Sequence, residues 1–181
     1  VSGTFGWWWR YEDGSYPTST QLRIDGAIYR FNARGYMVTG WVYEDGQWYY
    51  YGASGGQAAG WVRVHGTWYY LDPLTGAMAS GWTKVQGTWY YLSSSGAMRT
   101  GWMRDGSAWY YLTSSGALAT GWQRVGSSWY YLSPDGGAMA TGWLRDGDAW
   151  YYLTSSGAMA TGSRWIDGTR YVFDDEGRLM P

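Results

Sequence analysis

The sequence of 181 residues contains no cysteine, so disulfide bonds and thiolate metal sites are excluded. Only 15% of its residues are charged, where roughly a quarter is usual. The formal net charge of −1 provides no basic face for nucleic-acid phosphates and no polybasic membrane anchor. No apolar run approaches the length of a membrane span. We therefore expect neither a nucleic-acid partner nor membrane insertion.

The groups that usually carry catalysis are also scarce. The one histidine, His65, occupies a predicted hairpin turn, and no second histidine exists for a metal set or a catalytic triad. Turn chemistry explains six aspartates that each precede a glycine, and their dispersal along the chain disfavours an acid–base pair. These are Asp13, Asp25, Asp45, Asp105, Asp146 and Asp167. The sequence predicts no enzyme, no cofactor and no metal site.

Aromatic residues and glycine are abundant instead. Aromatics make up 21% of the chain, with 16 Trp and 19 Tyr, and there are 29 Gly. Val, Ile and Leu are scarce, so a close-packed aliphatic core is not available. The chain begins at Val1 without Met or a signal peptide, which we interpret as a mature product or a fragment excised from a longer protein.

A repeat of 20 or 21 residues organises the chain. Gly-Trp pairs mark its starts, at Gly40, Gly60, Gly81, Gly101, Gly121 and Gly142. We predict a single repeat domain over 1–181, with degenerate N-terminal repeats or a cap at 1–39, six Gly-Trp repeats at 40–161 and a degenerate C-terminal cap repeat at 162–181. In the first segment, WWWR from Trp7 is aligned with the WYYL of later repeats. Terminal copies that depart from the consensus are expected of a stacked array.

Each repeat is predicted to form a β-hairpin followed by a Ser/Gly connector. In GWTKVQGTWYYLSSSGAMRT a Gln86-Gly87 turn separates two short β-favouring runs. Side-chain alternation then places Trp82, Trp89 and Tyr91 on one face, and Val85, Tyr90 and Leu92 on the other, the predicted stacking face. Where the turn glycine comes one residue early, as at Asp105-Gly106, we expect a longer loop of about four residues in the same strand register.

The face that bears two Trp per repeat has three interpretations. It could be purely structural, because aromatic pairs stabilise sheets, but Val or Ile would serve as well. It could hold a quaternary ammonium by cation–π attraction in an aromatic cage. It could also stack a sugar ring, which needs polar partners for its hydroxyls. The repeats keep no constant polar residue on that face, which favours the cation cage.

The pattern GW-x5/6-WYYL-x3-GAMAT resembles the choline-binding, or cell-wall-binding, repeat of Gram-positive surface proteins and lytic enzymes. The resemblance covers essentially the whole chain. It implies an all-β solenoid, a left-handed superhelix of stacked β-hairpins with about 20 residues per repeat. It also implies a secreted module at the bacterial cell surface or cell wall, which binds choline or phosphocholine of teichoic or lipoteichoic acid between successive hairpins.

In that family two Trp of one repeat and a ring of the next form the cage, often lined by Met or Leu. The resemblance therefore implies five choline sites. They are Trp41 and Trp48 with Tyr70; Trp61 and Trp68 with Tyr91 and Met78; Trp82 and Trp89 with Tyr111 and Met98; Trp102 and Trp109 with Tyr131 and Leu118; and Trp122 and Trp129 with Tyr152 and Met139.

No site is expected at either end of the array. Trp143 and Trp150 have Met159, but Val172 stands where the third ring is expected. Near the N-terminus Ile28 and Arg30 replace Trp and Tyr. The alternative function is a carbohydrate-binding solenoid for a glucan or cell-surface glycan. A covalently linked catalytic or adhesin domain outside this chain is compatible with either function.

Overall fold

The computed structural model describes residues 8–181, and within them the regular structure consists of β-strands alone. Sixteen strands of five residues form eight two-stranded sheets, each made of two consecutive strands. The strands are β1 (Thr20–Ile24), β2 (Ala27–Phe31), β3 (Gly40–Glu44), β4 (Gln47–Tyr51), β5 (Gly60–Val64), β6 (Thr67–Leu71), β7 (Gly81–Val85), β8 (Thr88–Leu92), β9 (Gly101–Asp105), β10 (Ala108–Leu112), β11 (Gly121–Val125), β12 (Ser128–Leu132), β13 (Gly142–Asp146), β14 (Ala149–Leu153), β15 (Gly162–Ile166) and β16 (Thr169–Phe173). The predicted all-β fold of hairpins repeating about every 20 residues is confirmed.

All eight hairpins turn through two residues, in two different ways. Where the first turn residue is not glycine and the second is, as in the turn His65-Gly66, both residues have positive φ, 47° and 87°. This is a type I′ turn. Where glycine comes first, as at Gly106, it takes the positive φ of 58° and the type II′ pattern. The prediction of a loop of about four residues at Asp105-Gly106 is wrong. A type II′ turn has glycine at its first position, so a two-residue turn is sufficient here.

The strand register places the side chains on the two predicted faces. In β9–β10, Trp102 pairs with Tyr111 and Arg104 with Trp109, so these four side chains share one face. The other face ends in Leu112, which is fully buried. The same final position of the second strand is buried in every hairpin, by Phe31, Tyr51, Leu71, Leu92, Leu112, Leu132, Leu153 and Phe173. These side chains form the cores that isolated hairpins could not supply alone.

The connectors attach one repeat to its neighbours through the backbone. In one of them, the amide of Met78 donates to the carbonyl of Trp48 in the hairpin before its own, at 2.7 Å. Its side chain packs on Gly96 of the following connector, where a Cβ would collide with the Met78 sulfur. Gly96 also has a φ of 78°, so this position requires glycine for two independent reasons.

The chain divides into two compact units. The first comprises Val1–Thr83 with Leu92–Met98, and the second Lys84–Tyr91 with Arg99–Pro181. Both consist of hairpins and connectors of the kind described above. Within residues 8–181 there is no helix of the length and apolarity needed to cross a bilayer. The predicted division into caps and six central repeats stays a prediction.

Candidate functional site

The two Trp of a repeat form a corner of nearly perpendicular rings. Trp41 lies in β3 and Trp48 in β4, at diagonal positions on one face of the hairpin. Their ring centroids are 6.4 Å apart with an interplanar angle of 88°. The Trp143–Trp150 pair repeats this geometry with values of 6.3 Å and 85°. The strand register therefore builds two walls of a pocket without help from any other hairpin.

A tyrosine from the next hairpin adds a third ring. The Tyr69 ring of β6 lies 4.8 Å from the Trp41 ring, at an interplanar angle of 64°. Its equivalents Tyr130, Tyr151 and Tyr171 lie 4.7 to 4.9 Å from Trp102, Trp122 and Trp143 respectively. Each of these is the first Tyr of its strand, on the same face as the buried final residue. The stacking face thus also supplies the ring that meets the preceding hairpin.

The prediction had placed the second Tyr in that position, and the ring contacts correct this placement. Tyr70, Tyr111, Tyr131 and Tyr152 pack 5.1 to 5.2 Å from the first Trp of their own hairpins, and Tyr91 holds the same strand position. The two faces were assigned correctly from alternation. The error concerned which face meets the preceding hairpin. It is the face that carries the first Tyr, and not the face that carries the second. The part of either Tyr in binding choline stays a prediction.

The last two hairpins contain a third ring, which was predicted from the sequence to be missing because of Val172. Val172 does occupy the position of the second Tyr, but Tyr171 approaches Trp143 to 4.8 Å. Phe173 lies 5.9 Å from the same Trp143 ring. The first Tyr position of the strand provides the ring that contacts the preceding hairpin. Val172 at the second position therefore leaves the three-ring geometry complete. Trp143 and Trp150 therefore belong with the other candidate sites.

The connectors bond through the backbone to the hairpin before their own. Met78, predicted to line the site of Trp61 and Trp68, donates its amide to the Trp48 carbonyl, and the site that its side chain lines stays a prediction. The amides of Met98, Leu118, Met139, Met159 and Leu179 bond in the same way to the carbonyls of Trp68, Trp89, Trp109, Trp129 and Trp150. The first Trp pair, whose own connector has no Met, thus has Met78 bonded to its second Trp.

Exposure separates the two Trp in five of the six pairs. In these five the first Trp is half-buried, as Trp41 is between Trp48, Tyr50 and Tyr69, whereas Trp143 in the last pair is 38% exposed. The second stays 41 to 45% exposed in all six hairpins from β3–β4 to β13–β14. A large apolar ring repeatedly left half in solvent adds little to a core, so it is available to a ligand.

Polar contacts fix individual rings of the second unit. The indole nitrogen of Trp122 donates to a carboxylate oxygen of Asp146 at 2.8 Å. A hydrogen bond with the Tyr151 hydroxyl, together with the neighbouring Glu176 carboxylate, raises the pKa of the Arg178 guanidinium. Asp146 and Arg178, the polar partners in these contacts, stand at positions that vary between repeats. The repeat pattern therefore could not predict either contact.

A basic side chain accompanies most of the exposed Trp rings. Arg63 pairs across the hairpin with Trp68, and Lys84 places its Nζ 5.7 Å from the centroid of the Trp89 ring. Arg104, Arg124 and Arg145 hold the equivalent register opposite Trp109, Trp129 and Trp150. In the first Gly-Trp repeat this position is Tyr43, opposite Trp48.

The hairpin β1–β2 differs from all of these at the same positions. Gln21 and Ile28 stand where Trp41 and Trp48 stand in the next hairpin, and Arg30 replaces the second Tyr. Arg30 forms an ion pair with Glu44 of β3. Trp7, the residue aligned with the second Trp of the preceding degenerate copy, lies outside the described residues.

The chain is similar to choline-binding proteins in both sequence and structure. The family model described as "Choline-binding repeat" matches residues 18–59, 45–81, 79–120 and 119–162. No curated protein sequence matches the chain significantly. Among solved structures, CbpJ from Streptococcus pneumoniae TIGR4 is 45% identical with a TM-score of 0.83, over 85% of this chain and 56% of that one.

Two further S. pneumoniae structures are similar. Choline binding protein F, solved in the presence of a peptidoglycan analogue, is 39% identical with a TM-score of 0.82, over 90% of this chain and 58% of that one. The choline-binding domain of CbpL is 37% identical with a TM-score of 0.66, over 91% of this chain and 87% of that one. This chain thus spans little more than half the length of CbpJ and of choline binding protein F.

Proposed function

Because this chain belongs to the choline-binding repeat family, we propose that it is a non-catalytic module that binds choline groups of teichoic or lipoteichoic acid at a bacterial cell surface. The observation that carries the proposal is the three-ring cage of Trp41, Trp48 and Tyr69. Two perpendicular Trp faces and a Tyr suit a trimethylammonium group, which is attracted by the negative faces of aromatic rings.

Four described cages have this composition, each with a connector residue bonded to its second Trp. They consist of Trp41, Trp48, Tyr69 and Met78; Trp102, Trp109, Tyr130 and Met139; Trp122, Trp129, Tyr151 and Met159; and Trp143, Trp150, Tyr171 and Leu179. The pairs Trp61–Trp68 and Trp82–Trp89 carry the same sequence pattern and stay predicted walls of further sites.

The basic side chains beside the exposed Trp rings support phosphocholine, rather than free choline, as the ligand. Arg104 and Arg145 lie on the same face as the cages, in register with Trp109 and Trp150. A phosphate linked to a choline held by those rings would find a guanidinium within its reach, and such pairs are strong because they are charge-assisted. Salt weakens this contribution, whereas the aromatic contribution is much less sensitive to salt.

Single cages of this kind should bind weakly. Each aromatic wall contributes roughly 0.5–2 kcal/mol, and a millimolar site corresponds to about 4 kcal/mol. Three walls, less the entropic cost of holding the ligand, therefore predict dissociation constants near the millimolar range. Several cages engaging one choline-bearing polymer would raise the apparent affinity by about 10²- to 10⁴-fold through effective concentration.

Chromatography on a quaternary or tertiary amine resin tests this function. We expect the chain to be retained at high salt and released by free choline, because cation–π contacts resist screening while ion pairs do not. Titration calorimetry with choline should then show several weak sites. Passage through the resin combined with retention on an α-glucan column would instead support the carbohydrate-binding alternative, and a single micromolar choline site would contradict the multivalent model.

A further inference from the structure

A cleft of about 440 Å³ lies at the place where β1–β2 would contribute a cage. The residues that decide its chemistry are Gln21, Ile28, Arg30, Glu44, Tyr49 and Gln57. Its volume falls within the usual range of small-ligand sites, roughly 300–1,000 Å³. The cleft therefore has the size of a binding site, although its lining lacks the Trp pair.

The cleft is the structural equivalent of the Trp41 cage. Gln21 pairs with Arg30 across its hairpin as Trp41 pairs with Tyr50. The amide of Gln57 donates to the Ile28 carbonyl at 2.8 Å, as the Met78 amide does to Trp48. Tyr49 supplies the ring of the next hairpin, at the position that Tyr69 holds in the following repeat. The same backbone thus presents a different set of side chains.

The lining does not suit the ligand proposed for the cages. A trimethylammonium group would find no pair of Trp faces here, because Gln21 and Ile28 stand at those positions, and it would lie beside the Arg30 guanidinium. The cleft also gives poor compensation to an anion, because Arg30 is already paired with Glu44 and the Asp45 carboxylate adds a second negative charge. A neutral ligand avoids both penalties.

The remaining groups are those that a neutral polyhydroxylated ring requires. The Gln57 side-chain amide can donate and accept hydrogen bonds, and Tyr49 provides an aromatic face. The Gln21 amide offers its oxygen as an acceptor, because its nitrogen donates to Tyr51 and Glu44. Gln21 is held in place by the Tyr51 hydroxyl, to which it donates at 3.0 Å. Burial raises the pKa of that Tyr51 phenol, so it stays neutral and remains a partner at physiological pH. We propose that this cleft binds a neutral saccharide unit.

This subsite is independent of choline recognition, since it shares no ring with the Trp41 cage. On a wall polymer or glycan, the subsite would bind a sugar unit while the cages bind choline. The source of the saccharide is open to experiment, because a neutral hexose and an N-acetylated amino sugar share the chemistry described here. Two probes, maltose and N,N′-diacetylchitobiose, separate these sources.

Saturation-transfer NMR on the whole 181-residue chain tests the proposal. Choline is added at saturating concentration, so that the exposed Trp rings are occupied and cannot stack sugars. At least one disaccharide should bind in the millimolar range. The variant Gln57→Ala should weaken this binding about three- to tenfold, since it removes a hydrogen-bonding group. The double variant Gln21→Ala/Gln57→Ala should abolish it.

Met98→Ala is the matched control, because Met98 has the equivalent connector position and donates to Trp68. It should leave sugar binding unchanged, and unaltered choline titration at the other cages would show that each variant is folded. Absence of transfer from both disaccharides, or undiminished binding in the double variant, would overturn the proposal. Sugar binding that persists while wild-type protein fails to bind choline would overturn the proposed function and leave this subsite standing.

Discussion

The cleft beside β1–β2 and the cage beside β3–β4 share a backbone and differ in chemistry. Both have a two-strand hairpin, a ring from the next hairpin and a connector amide bonded to the second strand. The cage presents Trp41 and Trp48, whereas the cleft presents Gln21 and Ile28 at the same two positions. On the two proposed functions, the choice of ligand resides in a few side chains, and the hairpin backbone is the same for both ligands.

The comparison also explains why the frame tolerates the exchange. The contacts that fold each hairpin come from its other face, where Phe31 and Tyr51 are buried at equivalent positions. The ligand-facing side chains are largely outside this core, as the 43% exposure of Trp48 shows. Changes on the ligand face should therefore alter binding more than stability.

The largest effect should come from converting the cleft into a cage. The fourfold variant Gln21→Trp/Ile28→Trp/Arg30→Tyr/Gln57→Met supplies two Trp walls, removes the resident cation and restores the connector Met. We expect one additional choline site, because Tyr49 already provides the third ring. Isothermal titration with choline would measure the stoichiometry. If the folded variant had no additional choline site, these four side chains would not be the cause of the difference between the cleft and the cage. A difference between the backbones of β1–β2 and β3–β4 would then have to explain it.

Removing one wall of the Trp41 cage should have a smaller effect. Trp48→Ala deletes a cation–π partner of roughly 0.5–2 kcal/mol, which weakens choline binding at that cage about two- to thirtyfold. Ligand-observed NMR or tryptophan fluorescence can follow the change. The matched variant Ile28→Ala, at the equivalent position of the cleft, should leave every choline site unaffected. Global unfolding of Trp48→Ala would show that this ring is structural.

The third ring provides a finer test, because it distinguishes the two tyrosines of one strand. Tyr69→Ala should weaken the Trp41 cage about two- to tenfold, since its ring contacts Trp41 from the next hairpin. Tyr70→Ala removes a ring that packs on Trp61 of its own hairpin, so the Trp41 cage should change less. Selective shift changes of the Trp41 indole during choline titration would report on that cage alone. Equal losses in both variants would restore the second Tyr as a wall.

The tyrosine assignment marks the limit of what the repeat pattern could predict. Turn dipeptides and side-chain alternation defined the hairpins, their register and the composition of both faces, because these are local properties of strands. Alternation cannot tell which neighbour a face meets. That depends on the path of the connector, which bonds Met78 back to Trp48, and a single strand contains no signal for it.

The polar cleft was beyond prediction for a related reason. Ile28 and Arg30 were recognised as departures from the aromatic pattern, and a missing cage was the only consequence that the pattern allowed. The replacement set of Gln21, Glu44 and Gln57 comes from three different segments of the chain. Their placement around one volume is the observation that supports the proposal of a separate site there.

The smallest effect concerns the ion pair that sets the charge of the cleft. Glu44→Gln leaves the partly buried Arg30 guanidinium without its carboxylate, and we expect a loss of about 1 kcal/mol or less in the free energy of unfolding. Urea denaturation would measure it. Glu176→Gln is the control, since Glu176 and its partner Arg178 are 69% and 55% exposed, against 27% and 22% for Glu44 and Arg30. Its stability should be unchanged, because exposed pairs are screened by solvent. Equal losses in the two variants would mean that the Arg30–Glu44 pair is only another surface contact, and that the cleft owes its charge balance to something other than this pair.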